Sequence, residues 1–198
     1  MTDPTVGLQP ARKLRRDAVE NRRRLLDAAD AVFAEHGLDA GVDEVARVAG
    51  VGVGTLYRRF PTKDALVAEL VRELLDDLLA LAQDALAVPG GNGLEQFLYA
   101  MGSAQAAHRG CLARLWHDEE TAARKAENRA LVQQLLADAQ KAGRIRADAT
   151  REDIDLLFWS LRGVLAAHPD GSGAWRRQVA IMVAGLRPSS ESLPARMV

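Results

Sequence analysis

The sequence predicts an all-α fold: a small N-terminal three-helix unit followed by a larger helical domain. Three observations carry this. Ala and Leu dominate while aromatic residues make up only 5%, a bias toward helix formers and away from strand formers. Apolar residues recur at spacings of three and four. Glycine and proline clusters then cut the chain into helix-sized pieces.

In chain order, the first predicted helix covers Asp17 to His36, with Leu25, Ala29, Val32 and Phe33 on its core face and Gly37 ending it. Val42, Val45, Ala46 and Ala49 then occupy one face of a short helix closed by Gly50, where glycine best supplies a left-handed or tight turn. Val53, Leu56, Tyr57 and Phe60 repeat the period on a second short helix, which Pro61 stops because it lacks an N–H and disfavours helical backbone at Phe60. Thr62 is an N-cap candidate, with Asp64 in the first turn to meet the helix dipole. Two short helices joined by a glycine-containing turn form a helix-turn-helix, whose second helix enters the DNA major groove.

The remaining pieces follow. Lys63 to Ala87 is a long helix with Leu66, Leu70, Leu74, Leu78 and Leu81 along one side, ended by Pro89-Gly90-Gly91-Asn92-Gly93. Helices are expected at Leu94 to Ala107, Cys111 to Trp116, Glu120 to Lys141, Arg151 to His168 and Ala174 to Leu186. The tail from Pro188 is expected to be frayed. No internal repeat is evident. The domain division is 10–62 and 63–187, with flexible tails at 1–9 and 188–198.

Composition sets limits on function. Hydrophobic residues make up 48% and charged residues 27% of the 198 residues, as in a soluble globular protein. The one cysteine, Cys111, excludes an intrachain disulfide and fits a reducing cytoplasm. Met1 to Pro10 lacks the apolar stretch of a signal peptide, and no apolar run approaches the ~20 residues of a membrane span. The expectation is a cytoplasmic protein with no membrane partner. Net charge is −1, but from Pro10 to Lys63 eleven Lys/Arg face eight Asp/Glu, against fifteen and nineteen elsewhere. Arg12, Lys13, Arg15, Arg16, Arg22, Arg23 and Arg24 gather just before the helix-turn-helix. A local basic stripe on an otherwise acidic chain is the electrostatic footprint of a nucleic-acid binder.

The stretch Val42 to Leu66 resembles the DNA-binding domain of the TetR family of bacterial transcriptional regulators. The matching pieces are Ala46 to Val51 (Ala-x-x-Ala-Gly-Val), Gly54 to Tyr57 (Gly-Thr-Leu-Tyr), Phe60, and Thr62-Lys63-Asp64 followed by Leu66. The resemblance covers about Arg16 to Leu70; beyond it only helix order and length are similar. Two positions depart from the pattern. Gly41 and Gly52 stand where the family often carries hydroxyls that cap helices or touch phosphate.

The resemblance implies an all-α chain with an N-terminal helix-turn-helix domain and a C-terminal helical ligand-binding and dimerisation domain. It implies a homodimer that binds a double-stranded DNA operator and is released by a small-molecule inducer. On this basis Val53 and Thr55 are candidates for base edges, and Tyr57, Arg58, Arg59 and Lys63 for phosphates. The helix Arg151 to His168 is apolar on more than one face, as is required of a helix buried on more than one side. Ile154, Trp159 and Arg162 on it, with Trp175, Val179 and Val183 on the last helix, are assigned to the dimer interface. The competing reading is that these residues close the core of one chain. Leu74, Leu78, Phe97, Met101, Leu115, Trp116, Leu135 and Phe158, with Cys111 and His117 as polar handles, are assigned to a ligand pocket between the helices starting at Lys63 and Glu120. The scarcity of basic residues among them argues for an apolar inducer, and plain core packing is again the alternative.

Other motifs carry less. Gly50, Gly52 and Gly54 lack the preceding strand and the third glycine of a dinucleotide loop. His108, Cys111, His117 and Asp118 match no tight zinc spacing. No catalytic constellation, metal site or cofactor is assigned. The alternative function is a ligand-binding or scaffold helical protein with a degenerate DNA-binding domain.

Overall fold

The computed structural model describes residues 8–112, 121–168 and 173–194, with 8–18 described as backbone only. The described helices are α1 (Leu8–His36), α2 (Val42–Ala49), α3 (Val53–Arg59), α4 (Lys63–Leu86), α5 (Gly93–Ala107), α6 (Ala122–Lys141), α7 (Arg151–Ala167) and α8 (Ala174–Leu186). A 3₁₀ turn, Pro89–Gly91, joins α4 to α5. The expected helix at Cys111 to Trp116 lies mostly outside the described residues.

The first three helices close a small core. Leu25, Ala29, Val32 and Phe33 of α1 are buried with Val45, Ala46 and Ala49 of α2 and with Leu56 and Phe60. Gly50 ends α2 at φ +67°, its N–H directed to the carbonyls of Ala46 and Arg47. That backbone conformation favours glycine over any residue with a Cβ. Gly41 and Gly52 start α2 and α3 in extended conformation with no side chain to cap either helix. Phe60 is extended at φ −127°, as the following proline requires. The Thr62 hydroxyl accepts from the Ala65 N–H at 3.0 Å and starts α4.

α1 begins nine residues earlier than the apolar pattern indicates. Pro10 falls in its first turn, where the missing N–H leaves no helical bond unmade. The charged residues that follow are good helix formers but leave no apolar period to read.

In the second domain α4 runs about 36 Å and packs most extensively against α6 and α5, while α8 lies on α5 and α7. Leu66, Leu70, Leu74 and Leu78 are buried along α4. The tail is better held than its composition indicates. The Arg146 guanidinium contacts Asp148 at 2.6 Å and also donates to the Glu191 carbonyl, and the Leu193 N–H donates to Asp148 at 2.8 Å. These bonds, the Arg146 pairing foremost, hold the Asp148 carboxyl down at about 2.

The two domains meet where α1 crosses α4 and the end of α5. Arg22 of α1 pairs with Glu69 and Glu73 of α4, the latter at 2.9 Å. Gly110, just beyond α5, lies directly on α1: a Cβ there would stand 2.6 Å from the Ala34 nitrogen and 2.8 Å from the Phe33 carbonyl carbon. Those are backbone atoms of a helix and cannot yield locally. Gly110→Ala is therefore expected to destabilise the chain by about 1–3 kcal/mol, the range for overpacking. Urea unfolding checks this, and an unchanged midpoint would show that the seat is loose.

Candidate DNA interface and the region behind it

α3 is held by one side and presents the other. Leu56 is fully buried, while Val53, Gly54, Tyr57, Arg58 and Arg59 are exposed and Thr55 is half-buried. Thr55, Arg58 and Arg59 line a cleft of about 230 Å³ with Asn21, Arg22 and Leu25 of α1. Within it Arg58 donates to the Thr55 hydroxyl at 3.0 Å. The Thr55 hydroxyl thus accepts from Arg58 and keeps its O–H and a second lone pair for a base edge. Lys63 stands at the start of α4 with its Nζ 5.7 Å from the centre of the Phe33 ring. Its charge therefore sits beside the first turn of α4, where the free N–H groups attract anions.

The basic stripe divides. Arg23 is exposed, 3.8 Å from Asp27. Arg22, by contrast, is committed to Glu69 and Glu73 and acts as a strut between domains rather than a free cation. Sequence spacing gave no sign of this, because both partners lie on another helix. Burial pushes the Glu73 carboxyl up, against the pull of Arg22. The side chains of Arg12, Lys13, Arg15 and Arg16 lie outside the described ones.

A residue that the sequence reading treated only as a metal-ligand type stands at the centre of the domain junction. His108, ending α5, has Nδ1 3.0 Å from Asp30 of α1 and Nε2 3.6 Å from Asp77 of α4. A neutral imidazole donates from one nitrogen only, so two flanking carboxylates favour the imidazolium. The contact with Asp30 raises the His108 pKa above its ordinary value against the opposing effect of burial, with the charges of Asp77 and Glu73 adding. A raised folded value means that this stabilisation is complete below about 6.5 and is lost as pH rises through the folded value. Melting temperature is therefore expected to fall over that rise more steeply in the parent than in His108→Gln. Parallel pH profiles would remove His108 from the junction's energetics.

The residues assigned to a ligand pocket come together as packed core. Leu74, Leu78, Phe97, Met101, Cys111, Leu135 and Phe158 are all buried in one continuous cluster. Leu115, Trp116 and His117 lie outside the described residues. Where α4, α6 and α7 meet, the described cavity measures about 50 Å³, lined by Leu75, Leu78, Phe158, Lys125, Asn128, Arg129 and Asp155. That is room for a few waters, far below the ~300 Å³ where small-molecule sites begin. Among the described residues the leucines of α4 and α6 therefore meet as core, and nothing further is assigned on the side of residues 113–120, which lie outside the described ones. The Cys111 thiol is directed at the His108 carbonyl at 3.4 Å, and burial pushes it up to about 12, so it is an inert packed group rather than a polar handle. Gln105 of α5 is fully buried, and neither of its amide atoms has a hydrogen-bond partner among the described residues.

The residues assigned to the dimer interface divide between inside and outside. Ile154, Trp175, Val179 and Val183 are buried within the single chain, because α7 and α8 pack on each other and on α5. Trp159 is exposed at 42%, and Arg162 lies over its ring at 5.6 Å. Outward-facing residues that the apolar pattern did not separate from the core are Leu156, at 62%, and Ile181, at 57%. No helix among the described residues is long and apolar enough to cross a membrane.

A short helix with one anchored and one presented face, set by a glycine turn on a helical support, defines a helix-turn-helix DNA reader. Comparison with known proteins places it more closely. Residues 25–70 match the family model for bacterial regulatory proteins of the tetR family, and residues 89–188 match the model for the C-terminal domain of SbtR-like transcriptional regulators. The chain belongs to the TetR family of bacterial transcriptional regulators and is a DNA-binding protein of that type. A TetR transcription regulatory protein from Mycobacterium vanbaalenii is 36% identical, with a TM-score of 0.64 over 88% of this chain and 99% of that one. The TetR regulator SCO0520 from Streptomyces coelicolor is 29% identical, with a TM-score of 0.61 over 85% and 99%. The HTH-type transcriptional repressor KstR2 of Rhodococcus jostii is 42% identical over 67 residues, 33% of each chain. The match thus spans about a third of that curated relative.

Proposed function

We propose that the chain is a homodimeric repressor that binds a near-palindromic operator and leaves it when a small molecule binds. The observation that carries this reading is the presented face of α3, where Val53, Gly54 and Tyr57 are exposed beside the Arg58 and Arg59 guanidiniums. Two such helices, roughly 34 Å apart, would enter successive major grooves. Tyr57, Arg58, Arg59 and Lys63 would hold phosphates, and Val53 and Thr55 would meet base edges. Ligand responsiveness is supported by Gln105, since a buried amide with no hydrogen-bond partner among the described residues costs about 1–3 kcal/mol unless something supplies its bonds.

Fluorescence anisotropy on DNA from upstream of the chain's own gene, over a salt series, tests the first part. Lys63→Ala is expected to weaken all sequences alike and flatten the salt slope by about one unit. Thr55→Ala is expected to change sequence preference more than affinity. Absence of any salt-dependent binding would favour a helical scaffold whose reader no longer reads.

For assembly, the exposed residues Leu156 and Trp159 of α7 and Ile181 of α8 supply the seam in this reading. Leu156→Glu and Ile181→Glu are expected to convert dimer to monomer without unfolding, because each charge stays in water once the chains separate. Val183→Glu, at a buried position, is expected to unfold the chain instead. Light scattering with circular dichroism checks both, and dimers of unchanged mass in the first two variants would move the seam elsewhere.

A further inference from the structure

α1 reaches well past the core that it supports. Among its described side chains Leu25 is the first to be buried, and Val19, Glu20, Arg23 and Arg24 before it are exposed. The helical backbone nevertheless continues back to Leu8. The stretch 8–24 therefore extends about 25 Å at 1.5 Å per residue. We propose that this stretch is a second DNA contact, with Arg12, Arg16 and Arg23 set along the phosphate backbone next to the groove that α3 enters. The proposal rests on the operator-binding reading above and adds to it a surface outside the helix-turn-helix.

Place, register and charge carry it. α1 leaves its core beside the reader: Asn21, Arg22 and Leu25 share the cleft of about 230 Å³ with Thr55, Arg58 and Arg59 of α3. The extension thus starts at the edge of the presented face and continues it. Arg12, Arg16, Val19 and Arg23 follow one another at spacings of four, three and four, which puts them on one side of a helix. Where that side is described it is open to solvent, with Val19 69% exposed and the Arg23 side chain 84%. Arg22, by contrast, is the cation committed to α4. Positions 8–18 hold four Lys or Arg and one Asp. Like charges four apart on a helix repel, so Arg12 and Arg16 favour an anion laid along them. Arg23 has Asp27 at 3.8 Å, an exposed pair of the kind that holds little energy and yields to a phosphate.

A duplex fits this surface. Its phosphates present one charge per ~1.7 Å of helix axis, a continuous anionic wall against which a helix of this length can lie. Contacts to phosphate position a protein without reading bases. The extension therefore adds affinity and salt dependence and leaves the choice of sequence to α3.

The test uses the full chain and operator DNA from upstream of its own gene. Anisotropy over a salt series compares the parent, the triple variant Arg12→Gln/Arg16→Gln/Arg23→Gln, the same three positions changed to Lys, and Arg144→Gln. Arg144 is exposed in the loop after α6 and controls for net charge. The glutamine triple is expected to bind at least tenfold more weakly at about 0.15 M salt and to flatten the salt slope by about two to three units. Its preference for operator over scrambled DNA is expected to match the parent's. The lysine triple is expected to keep the parent's slope, because a phosphate accepts either cation, and Arg144→Gln to leave it unchanged. Phosphate ethylation interference then locates the contact: the glutamine triple is expected to lose sensitivity at phosphates that Lys63→Ala retains. Should the triple fail to fold by circular dichroism, Arg23→Gln alone decides, with a slope about one unit flatter expected. An unchanged slope in the glutamine variants overturns the proposal, as does an equal loss per charge in Arg144→Gln. Lost discrimination between operator and scrambled DNA overturns the phosphate role. A parent that binds DNA beside an unchanged triple removes this contact alone, whereas a parent that binds no DNA removes the operator-binding reading with it.

Discussion

The structure depends on how α1 is fastened to the second domain. α1 supplies most of the small core under α2 and α3, so wherever α1 goes the DNA-reading helix goes with it. Three contacts of different kinds hold it. Arg22 bridges to two carboxylates of α4, His108 is set between Asp30 and Asp77, and Gly110 lies in van der Waals contact with the helix backbone. Two are electrostatic and respond to protonation and to salt. The third is steric and does not. A junction built this way can be biased chemically while its geometry stays defined, which is the requirement for a two-position element.

The reader domain itself has little local stability to spare. α3 has seven residues, too few to form a helix alone in water. Neither α2 nor α3 has a side-chain cap, since Gly41 and Gly52 occupy those positions. Its order comes from Leu56 and Phe60 packing beneath it and from the turn at Gly50. The presented face is therefore only as rigid as the α1 platform below.

The reader was legible in the sequence because its signals are local. A glycine that must be left-handed, a proline that stops a helix and a threonine that caps one each act within four residues, and all three appear where the spacing puts them. The partnerships were not legible. Arg22 reads as one more cation in a basic stripe until Glu69, 47 residues away, is seen beside it. Apolar periodicity shows that α7 has two greasy faces but not which one α5 and α8 will cover, and so Ile154 and Leu156 could not be told apart. The same ambiguity hides whether Leu74 and Leu78 face a cavity or a neighbouring side chain, while a groove of about 460 Å³ is lined partly by arginines and small residues that carry no apolar signature.

The lone cysteine offers an internal clock. Cys111 is fully buried one residue past the glycine seated on α1, and its thiol is held far from ionisation. A thiol reagent reaches it only when the chain around that seat opens, so the alkylation rate counts openings of the junction. No label need be engineered, and no other sulfhydryl competes. Opening between the reader and the second domain can be timed, in the native chain, by the chemistry of one atom.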